Sequence, residues 1–440
     1  MSETRNIILE LLGQLGSSRE AREYLQRFSS VESVQFAVVK VGGAVLAEEL
    51  EPLASALSFL RHVGLLPIVL HGAGPQLNQA LADAGVESEV VDGMRVTTPE
   101  VMAVARPVIY EQNMKLTEAL EAKGVAARSL LHGVFECDYL SPGRYGLVGD
   151  VTEVHLETLR GAVGAGAMPI VACLGESRSG QVMNINADVA ARALVREVKP
   201  YKVIFLTGTG GLLNAEGNII PAINLHTDYD NLLAQEWVHS GMRLKLTQIK
   251  MLLDQLPRAT SVSITSATGL TRELFTHSGC GTLIRRGEGF AELKELSEEQ
   301  RGQLAELLEQ CFGRRLKADY FDRLELDRLL LADSGRAAAL ITHGLDGTPY
   351  LDKFAVTPAA RGEGLASALW RELKSRFDRL YWRAKIANPI NDWYHRQADI
   401  SYRAGDWRVF SYGIAMDHMQ PFVDHTLAAS ESWTDDPDQP

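Results

Sequence analysis

Three short glycine-bearing segments each follow a run of apolar residues. They are residues 40–43 (KVGG), 71–74 (HGAG) and 207–211 (TGTGG). Glycine lets backbone N–H groups come close to phosphate or carboxylate oxygens. One such segment alone is more often a tight turn. Three together, one of them containing Lys40, indicate a binding site for anions.

The apolar runs before these segments predict the sheet that positions them. Six runs are almost continuously apolar, as in strands that are buried on both faces: 35–41, 66–71, 125–130, 168–174, 202–207 and 260–265. Helical patterns separate most of them, so residues 33–286 are predicted to form a doubly wound, largely parallel α/β domain. Ligands bind at the carboxyl ends of strands in such sheets. Hairpin-like inserts are expected at 90–98 and 212–220.

A second domain with a different order of elements is predicted over 296–426, after a charged linker at 287–295. Helices are expected at 297–312, 318–332 and 363–377, and strands at 337–343, 350–356, 379–384 and 407–414. This order predicts an α+β domain with a mixed, largely antiparallel sheet. Residues 1–32 are predicted to form a helical arm, and 427–440 a disordered acidic tail.

Composition excludes several classes of function. The chain has 440 residues and a formal charge of −12, which argues against binding to nucleic acid or to an anionic membrane. Glu3 and Glu10 argue against a signal peptide, and no apolar run reaches the ~18 residues of a membrane span. The four cysteines lie far apart, so we expect no protein-ligated metal. A cytoplasmic protein is the expectation.

The first domain has neither a P-loop nor the G-x-G-x-x-G of a dinucleotide site. It resembles the amino acid kinase family, and within it the N-acetylglutamate kinases, over residues 34–285. The resemblance rests on five segments: KVGG at 40–43, HGAG at 71–74, GMRVT at 93–97, NINAD at 184–188 and GMRLKL at 241–246.

This resemblance implies transfer of a phosphoryl group from ATP, with Mg²⁺, to a carboxylate. Lys40 and Lys245 would flank the transferred group, and Asp188 would orient both ammonium groups. The implied substrate contacts are Gly72, Ala73, Arg95 and Asn184, and the implied ATP contacts are Gly42, Gly43, Gly208, Thr209, Gly210 and Gly211. Ala73 replaces a glycine common in the family, and Gly208 stands where many members have aspartate, which puts the affinity for ATP in question.

Residues 361–366 (RGEGLA) follow a predicted strand and begin a predicted helix. Such a setting suits a pyrophosphate held by backbone N–H groups at a helix N-terminus. The domain resembles the GNAT acyltransferases, which bind acetyl-CoA in this way. The implied acetyl-CoA contacts are Val356, Arg361, Gly362, Gly364 and Ala366.

Two further segments, 350–354 (YLDKF) and 381–399 (YWRAKIANPINDWYHRQAD), resemble the acetyltransferase domain of N-acetylglutamate synthases. The resemblance implies that Tyr394 protonates the departing CoA thiolate. Lys353 would either bind a glutamate carboxylate or help to deprotonate the amine. Arg383, Lys385 and Asn388 would complete the substrate contacts.

Together the two resemblances imply consecutive reactions of arginine biosynthesis: acetylation of the glutamate amine, then phosphorylation of the side-chain carboxylate. Arginine is the expected inhibitor, and the chain is expected to form a homo-oligomer. One alternative is a synthase whose kinase-like domain only senses arginine. Another is a kinase-like regulatory module attached to a protein-acetylating GNAT domain.

The apolar stripes of residues 4–28 predict an N-terminal arm that either docks on its own domain or reaches a neighbouring subunit, and the second role would make it part of an oligomer. If the arm reaches a neighbouring subunit, removal of residues 1–32 should lower the number of subunits per particle, measured as molar mass by light scattering. An unchanged number of subunits would contradict this role for the arm.

Overall fold

A computed structural model describes residues 35–275, 280–360 and 364–434. These residues divide into two compact units, and the division falls between Arg286 and Gly287. The predicted arm at 1–32 lies outside the described residues.

The first unit is built on fourteen strands among its described residues. In chain order they are β1 (Ala37–Val41), β2 (Ile68–His71), β3 (Val90–Val91), β4 (Met94–Arg95), β5 (Ala127–Leu130), β6 (Phe135–Tyr139), β7 (Gly149–Val154), β8 (Met168–Ala172), β9 (Leu174–Glu176), β10 (Val182–Asn184), β11 (Lys202–Leu206), β12 (Ala222–Asn224), β13 (Ser261–Thr265) and β14 (Thr282–Arg285).

The helices of this unit pack on the sheet or connect its strands. They are α1 (Gly43–Glu48), α2 (Leu50–His62), α3 (Gly74–Asp83), α4 (Pro99–Glu121), α5 (Pro142–Tyr145), α6 (Leu156–Gly164), α7 (Ala187–Val198), α8 (Leu225–Leu233), α9 (Ser240–Asp254) and α10 (Leu270–Phe275). In the described part of the chain, no helix is long and apolar enough to cross a membrane.

Eight strands form the main sheet in the order β12-β14-β13-β11-β1-β2-β8-β5. All neighbours pair in parallel except β13 and β14. The predicted doubly wound sheet is confirmed, and each of the six predicted runs contains one of its strands. Side chains of β1 alternate between two cores: Val38 packs with residues of α7, and Val39 with residues of α2. Because both faces are covered, the strands are continuously apolar.

A second, four-stranded sheet in the order β10-β9-β6-β7 is mixed and was not predicted. The insert predicted at 90–98 contains the β3–β4 hairpin, with Asp92 and Gly93 at positive φ in its turn. The insert predicted at 212–220 is closed by an antiparallel bridge between Leu213 and Ile219.

The described residues of the second unit contain seven strands in one sheet. They are β15 (Phe290–Leu293), β16 (Leu326–Ala332), β17 (Ala337–Thr342), β18 (Tyr350–Val356), β19 (Leu380–Lys385), β20 (Ile400–Ala404) and β21 (Trp407–Tyr412), in the order β15-β16-β17-β18-β19-β21-β20. The helices that pack on it are α11 (Glu298–Phe312), α12 (Leu365–Arg376), α13 (Asn391–Gln397) and α14 (Met419–Ala428).

All neighbours in this sheet are antiparallel except β18 and β19, which are parallel and pair only at Tyr350 and Tyr381. The predicted mixed, largely antiparallel sheet is confirmed. The predicted helix over 318–332 is wrong, since its second half is β16. Leu330 packs in the core that contains α12, and Leu329 in the core that contains α11. Burial on both faces removes the alternation that would have identified a strand.

Two further predictions for this unit need correction. Residues 287–295 are not a linker, because β15 pairs with β16 and begins the sheet. Residues 427–434 are not disordered: Leu427 and Ala428 belong to α14, and Trp433 forms an antiparallel bridge with Leu316. The aromatic ring of Trp433 packs on Phe312 and offsets the cost of ordering the segment. Residues 435–440 lie outside the described part of the chain.

Gly146 is required by the close contact between two segments of the first unit. Its backbone has φ 67° and ψ −128°, and an added Cβ would lie 2.4 Å from the Thr97 carbonyl oxygen. We expect Gly146→Ala to destabilise the first unit by about 1–3 kcal/mol, the usual cost of a strained backbone. Urea unfolding should show a lower midpoint. Gly143→Ala is the matched control, because no atom lies within 4 Å of its added Cβ.

Candidate active sites

Lys40 and Asp188 form an ion pair at the carboxyl edge of the main sheet. Lys40 is the penultimate residue of β1, and its Nζ lies 2.9 Å from Asp188 Oδ1. Asn186 fixes the start of α7, because its side chain accepts hydrogen bonds from the N–H groups of Asp188 and Val189. The Lys40 side chain is 18% exposed and that of Asp188 is 54% exposed. The ammonium group is therefore held in place yet partly open to solvent.

Two helices begin beside this lysine without a side-chain cap. Gly42 is the N-cap of α1 and Ala73 that of α3. The segments touch, since a Cβ on Gly43 would lie 2.9 Å from the Gly74 nitrogen. The N–H groups of their first turns thus lack side-chain acceptors and favour an anion. The Gly72 N–H donates to the Val41 carbonyl at 3.0 Å, and the role of Gly72 as a substrate contact stays a prediction.

Arg95 is held entirely by neutral groups among the described residues. Its Nη1 donates to Ser88 Oγ at 2.7 Å, and its Nη2 donates to Asn78 Oδ1. No carboxylate in the described part of the chain pairs with it. The guanidinium is oriented while its charge stays uncompensated, which suits a carboxylate ligand.

Asn184 is tied to the hairpin that carries Arg95. Its Nδ2 donates to Thr97 Oγ1 at 3.2 Å, and the Thr97 hydroxyl donates to the Arg95 carbonyl at 2.9 Å. A second link runs from Asn186 Nδ2 to the Gly93 carbonyl at 3.1 Å. Asn184 ends β10 of the smaller sheet, so the NINAD segment reaches the site from there and not directly from a strand of the main sheet. The GMRVT and NINAD segments form one connected structure.

The 207–211 loop follows β11 and turns back at Gly210, which has φ 70°. Thr209 donates to the Gly211 carbonyl at 3.1 Å, and Gly211 packs against Ile219 and Thr282. A Cβ on Gly208 would meet no atom within 4 Å. Position 208 therefore has room for a side chain.

Lys245 lies on α9 with an exposed side chain. Among the described residues no hydrogen bond or ion pair joins it to Lys40 or Asp188. Within the described ranges, Lys40 pairs with Asp188 and Thr97 links Arg95 to Asn184, whereas no hydrogen bond or ion pair joins Lys245 to either pair.

A cavity of about 170 Å³ in the second unit contains the other predicted substrate residues. It opens where β18 and β19 separate after their single pair at Tyr350 and Tyr381. Lys353, Arg383, Lys385, Asn388 and Tyr394 all line it. Strands that part in this way leave backbone groups able to bind a ligand.

Lys353 is the most buried cation of the cavity, with 7% of the residue exposed. Its Nζ donates to Asp352 Oδ2 at 2.7 Å and to Ser432 Oγ at 2.9 Å. The ammonium also lies over the rings of Tyr320 and Trp433. This enclosure fixes the position of the lysine.

Tyr394 is buried among the rings of Phe354, Trp370, Trp382 and Phe410. Burial raises the pKa of its hydroxyl above the ordinary value, so the group stays protonated at neutral pH. A protonated hydroxyl that lines the cavity can act as a proton donor.

Arg383 and Lys385 both project from β19 toward the ring of Trp407. The Arg383 guanidinium and the Lys385 ammonium lie 4.1 and 4.0 Å from the centre of its ring. Arg383 donates to the carbonyls of Thr426 and Ala429. Asn388 turns the chain after β19, since its Oδ1 accepts from the Ile390 N–H at 3.2 Å.

The predicted acetyl-CoA contacts are described only in part. Val356 ends β18, Gly364 caps α12 at φ 80°, and Ala366 lies in the first turn of that helix. The N-terminus of α12 has no side-chain cap bond, so its N–H groups are left for another acceptor. Arg361 and Gly362 lie outside the described residues.

Comparison with known proteins matches residues 35–265, more than half of the chain, to the amino acid kinase family. The chain belongs to the amino acid kinase family. Residues 290–428 match the N-acetyltransferase domain of N-acetylglutamate synthase. The first unit is thus an amino acid kinase domain fused to an acetyltransferase domain.

Individual relatives agree with this fused architecture. An acetylglutamate kinase from Xanthomonas campestris pv. campestris is 48% identical over 416 residues, covering 93% of this chain and 98% of that protein. Human mitochondrial N-acetylglutamate synthase is 30% identical and covers 93% of this chain and 75% of that protein. The crystal structure of the Neisseria gonorrhoeae synthase with coenzyme A and N-acetyl-glutamate has a TM-score of 0.64 at 19% identity, covering 90% and 97% of the two chains. This last similarity shows the fold.

Sequence reasoning missed several residues of these sites. In the kinase domain it missed Thr97, the bridge between Arg95 and Asn184. In the acetyltransferase domain it missed Asp352 and the cavity residues Glu431, Ser432 and Trp433. A tryptophan within an otherwise polar tail was the available signal, because an isolated large aromatic usually packs.

His71 of the kinase domain is completely buried at the end of β2. Its Nε2 lies 3.0 Å from Asn113 Nδ2, which also donates to the Ile170 carbonyl. Burial lowers the pKa of His71 from its ordinary 6.5 to about 4. The imidazole is therefore neutral at neutral pH and serves to hold β2 against α4.

This pKa predicts acid sensitivity. Between pH 6.5 and 4 the unfolded chain binds a proton at His71 and the folded chain does not. The free energy of unfolding therefore decreases by about 1.4 kcal/mol for each unit by which the pH is lowered. At pH 5 we expect the His71 contribution to be about 2 kcal/mol smaller than at neutral pH. Urea unfolding from pH 7.5 to 5 should show a weaker pH dependence for His71→Gln than for the wild type. His226→Gln, at an exposed position on α8, should leave the dependence unchanged.

Proposed function

We propose that the chain is bifunctional: its acetyltransferase domain transfers the acetyl group of acetyl-CoA to the amine of L-glutamate, and its kinase domain phosphorylates the side-chain carboxylate of the N-acetylglutamate formed. The observation that carries the proposal is that each domain has its own set of chemical groups. The Lys40–Asp188 pair is present in one domain, and the cavity with Lys353 and Tyr394 in the other.

In the kinase reaction, Lys40 is placed to stabilise charge on the transferred phosphoryl group, and Asp188 orients its ammonium. The uncapped starts of α1 and α3 supply N–H groups for phosphate and substrate oxygens. Arg95 and Asn184 would hold the substrate end that carries the α-carboxylate. The 207–211 loop would contact the nucleotide, and Mg²⁺ would arrive with ATP, bound mainly by its phosphates. Lys245 would approach the transferred group from α9.

In the acetyltransferase reaction, the glutamate amine would attack the thioester carbonyl directly. The carbon–sulfur bond breaks as the carbon–nitrogen bond forms, the Tyr394 hydroxyl gives its proton to the departing thiolate, and the proton released by the amine nitrogen restores that hydroxyl. Lys353, held by hydrogen bonds to Asp352 and Ser432, would bind a carboxylate of the substrate and would not remove the proton from its amine. The start of α12 would hold the pyrophosphate of acetyl-CoA.

A second candidate is a synthase whose kinase domain only senses arginine. Two observations favour it: Lys245 makes no bond to Lys40 or Asp188 among the described residues, and Gly208 has no side chain in the nucleotide loop. Under either candidate we propose arginine as an inhibitor.

One preparation assayed for both products separates the candidates. ADP release from ATP and N-acetylglutamate reports the kinase, and CoA release from acetyl-CoA and L-glutamate reports the synthase. Both products are expected. CoA release without ADP release would instead support the sensing role of the kinase domain.

Substitution should separate the two activities within the chain. We expect Lys40→Met to lower the kcat for ADP release roughly 10²- to 10³-fold, since a preorganised positive charge at the phosphoryl group is lost. CoA release should not change. Lys115→Met, at an exposed lysine on α4, is the matched control. Equal loss of both activities in the Lys40 variant would point to a folding defect and contradict the assigned role.

A further inference from the structure

The described C-terminal segment, residues 429–434, forms one wall of the acetyltransferase cavity and is called the strap here. Two backbone hydrogen bonds fix it: from Lys317 N to the Ser432 carbonyl at 3.0 Å, and from Thr434 N to the Arg315 carbonyl at 2.9 Å. The Trp433 ring packs on Phe312 with 4.9 Å between ring centres. The strap is therefore an ordered part of the domain.

The strap supplies a partner to each of three cations that line the cavity. The Ala429 carbonyl accepts from Arg383 Nη2 at 2.9 Å. Ser432 Oγ accepts from Lys353 Nζ at 2.9 Å. The Glu431 carboxylate lies 3.6 Å from Lys385 Nζ, and this is the longest of the three contacts.

The three cations differ in how easily a ligand can replace the partner. Lys353 is buried and keeps the Asp352 carboxylate at 2.7 Å, and Arg383 is held by two carbonyls of α14 and the strap. Lys385 and Glu431 are each 45% exposed. Half-exposed ion pairs contribute little free energy, so a carboxylate from solution can displace Glu431 at small cost.

We propose that Glu431 is an exchangeable counter-ion of Lys385: it pairs with the lysine when the cavity holds no substrate, and the carboxylate of the amino-acid substrate takes its place. This inference rests on the proposed acetyltransferase function. Glu431 would then weaken the binding of an acidic substrate and raise its KM.

The test is Glu431→Gln, which removes the charge and retains the shape. We expect the KM for L-glutamate to fall roughly two- to fivefold, because the neutral amide of glutamine competes less strongly than a carboxylate for the ammonium group. The kcat and the KM for acetyl-CoA should stay the same. A purely structural role for Glu431 would instead raise the KM or lower kcat. Glu306→Gln, at an exposed glutamate on α11 that is not in the cavity lining, is the matched control.

A double-mutant cycle with Lys385→Met shows whether the effect passes through the lysine. In the Lys385→Met background, Glu431→Gln should no longer lower the KM. A KM that rises or does not change in the single Glu431 variant overturns the proposal. A decrease in KM of equal size when Glu431→Gln is made in the Lys385→Met background also overturns it.

Failure of the proposed function gives a different result. A wild-type protein that releases no CoA with glutamate removes the acetyltransferase assignment. Calorimetric titration with L-glutamate then decides the counter-ion role by itself: tighter binding to the Glu431→Gln variant supports it, and equal, weaker or absent binding rejects it.

Discussion

The parallel pairing of β1 with β2 and β11 is the constraint on which the kinase site depends. Strands that run in one direction end at one edge, so Lys40, the 71–74 segment and the 207–211 loop meet although they are distant in sequence. Burial of the sheet on both faces stabilises this register, since a slip of one residue would send Lys40 into the core that contains α2. An element outside these three strands supplies a further group at that edge. Asp188 reaches it from the start of α7, whose position follows from packing on the face that also contains Val38.

In the acetyltransferase domain the site depends on the separation of two parallel strands, and not on their pairing. β18 and β19 share only one registered pair, and the cavity lies between the parts that separate. The unpaired portions would be an unfavourable defect in an ordinary sheet, because exposed backbone groups lose their partners. Here the gap is bordered by Lys353 from β18 and Arg383 from β19, and the strap closes its open side. The gap in the sheet is therefore also the candidate site. The strap covers the gap and at the same time lines the cavity.

The parts of this structure that could be predicted are those in which local pattern and tertiary packing agree. Six of the eight strands of the main sheet lie in apolar runs that identify them, whereas the strands β12 and β14 were not predicted. β16 was predicted as helix because Leu329 and Leu330 are buried on opposite faces and no alternation remains. The strap was predicted to be disordered because its composition is acidic, whereas Trp433 packs on Phe312. Contacts such as that of Thr97 with Asn184 join residues 87 positions apart and leave no local signal.

The two domains hold their cations in different ways, and the difference follows from the chemistry that each would serve. Arg95 is oriented by a hydroxyl and an amide, so its full charge remains for a carboxylate. Lys40 has an acidic partner, but Asp188 is more than half exposed, and solvent reduces the attraction between the two. Its charge can still act on a phosphoryl group as negative charge develops there. Lys353 is instead enclosed with Asp352 and two aromatic rings, an arrangement that resists movement. Under the proposed function, such a lysine would fix the orientation of a bound acid, and the more exposed Lys385 would exchange its partner when substrate binds.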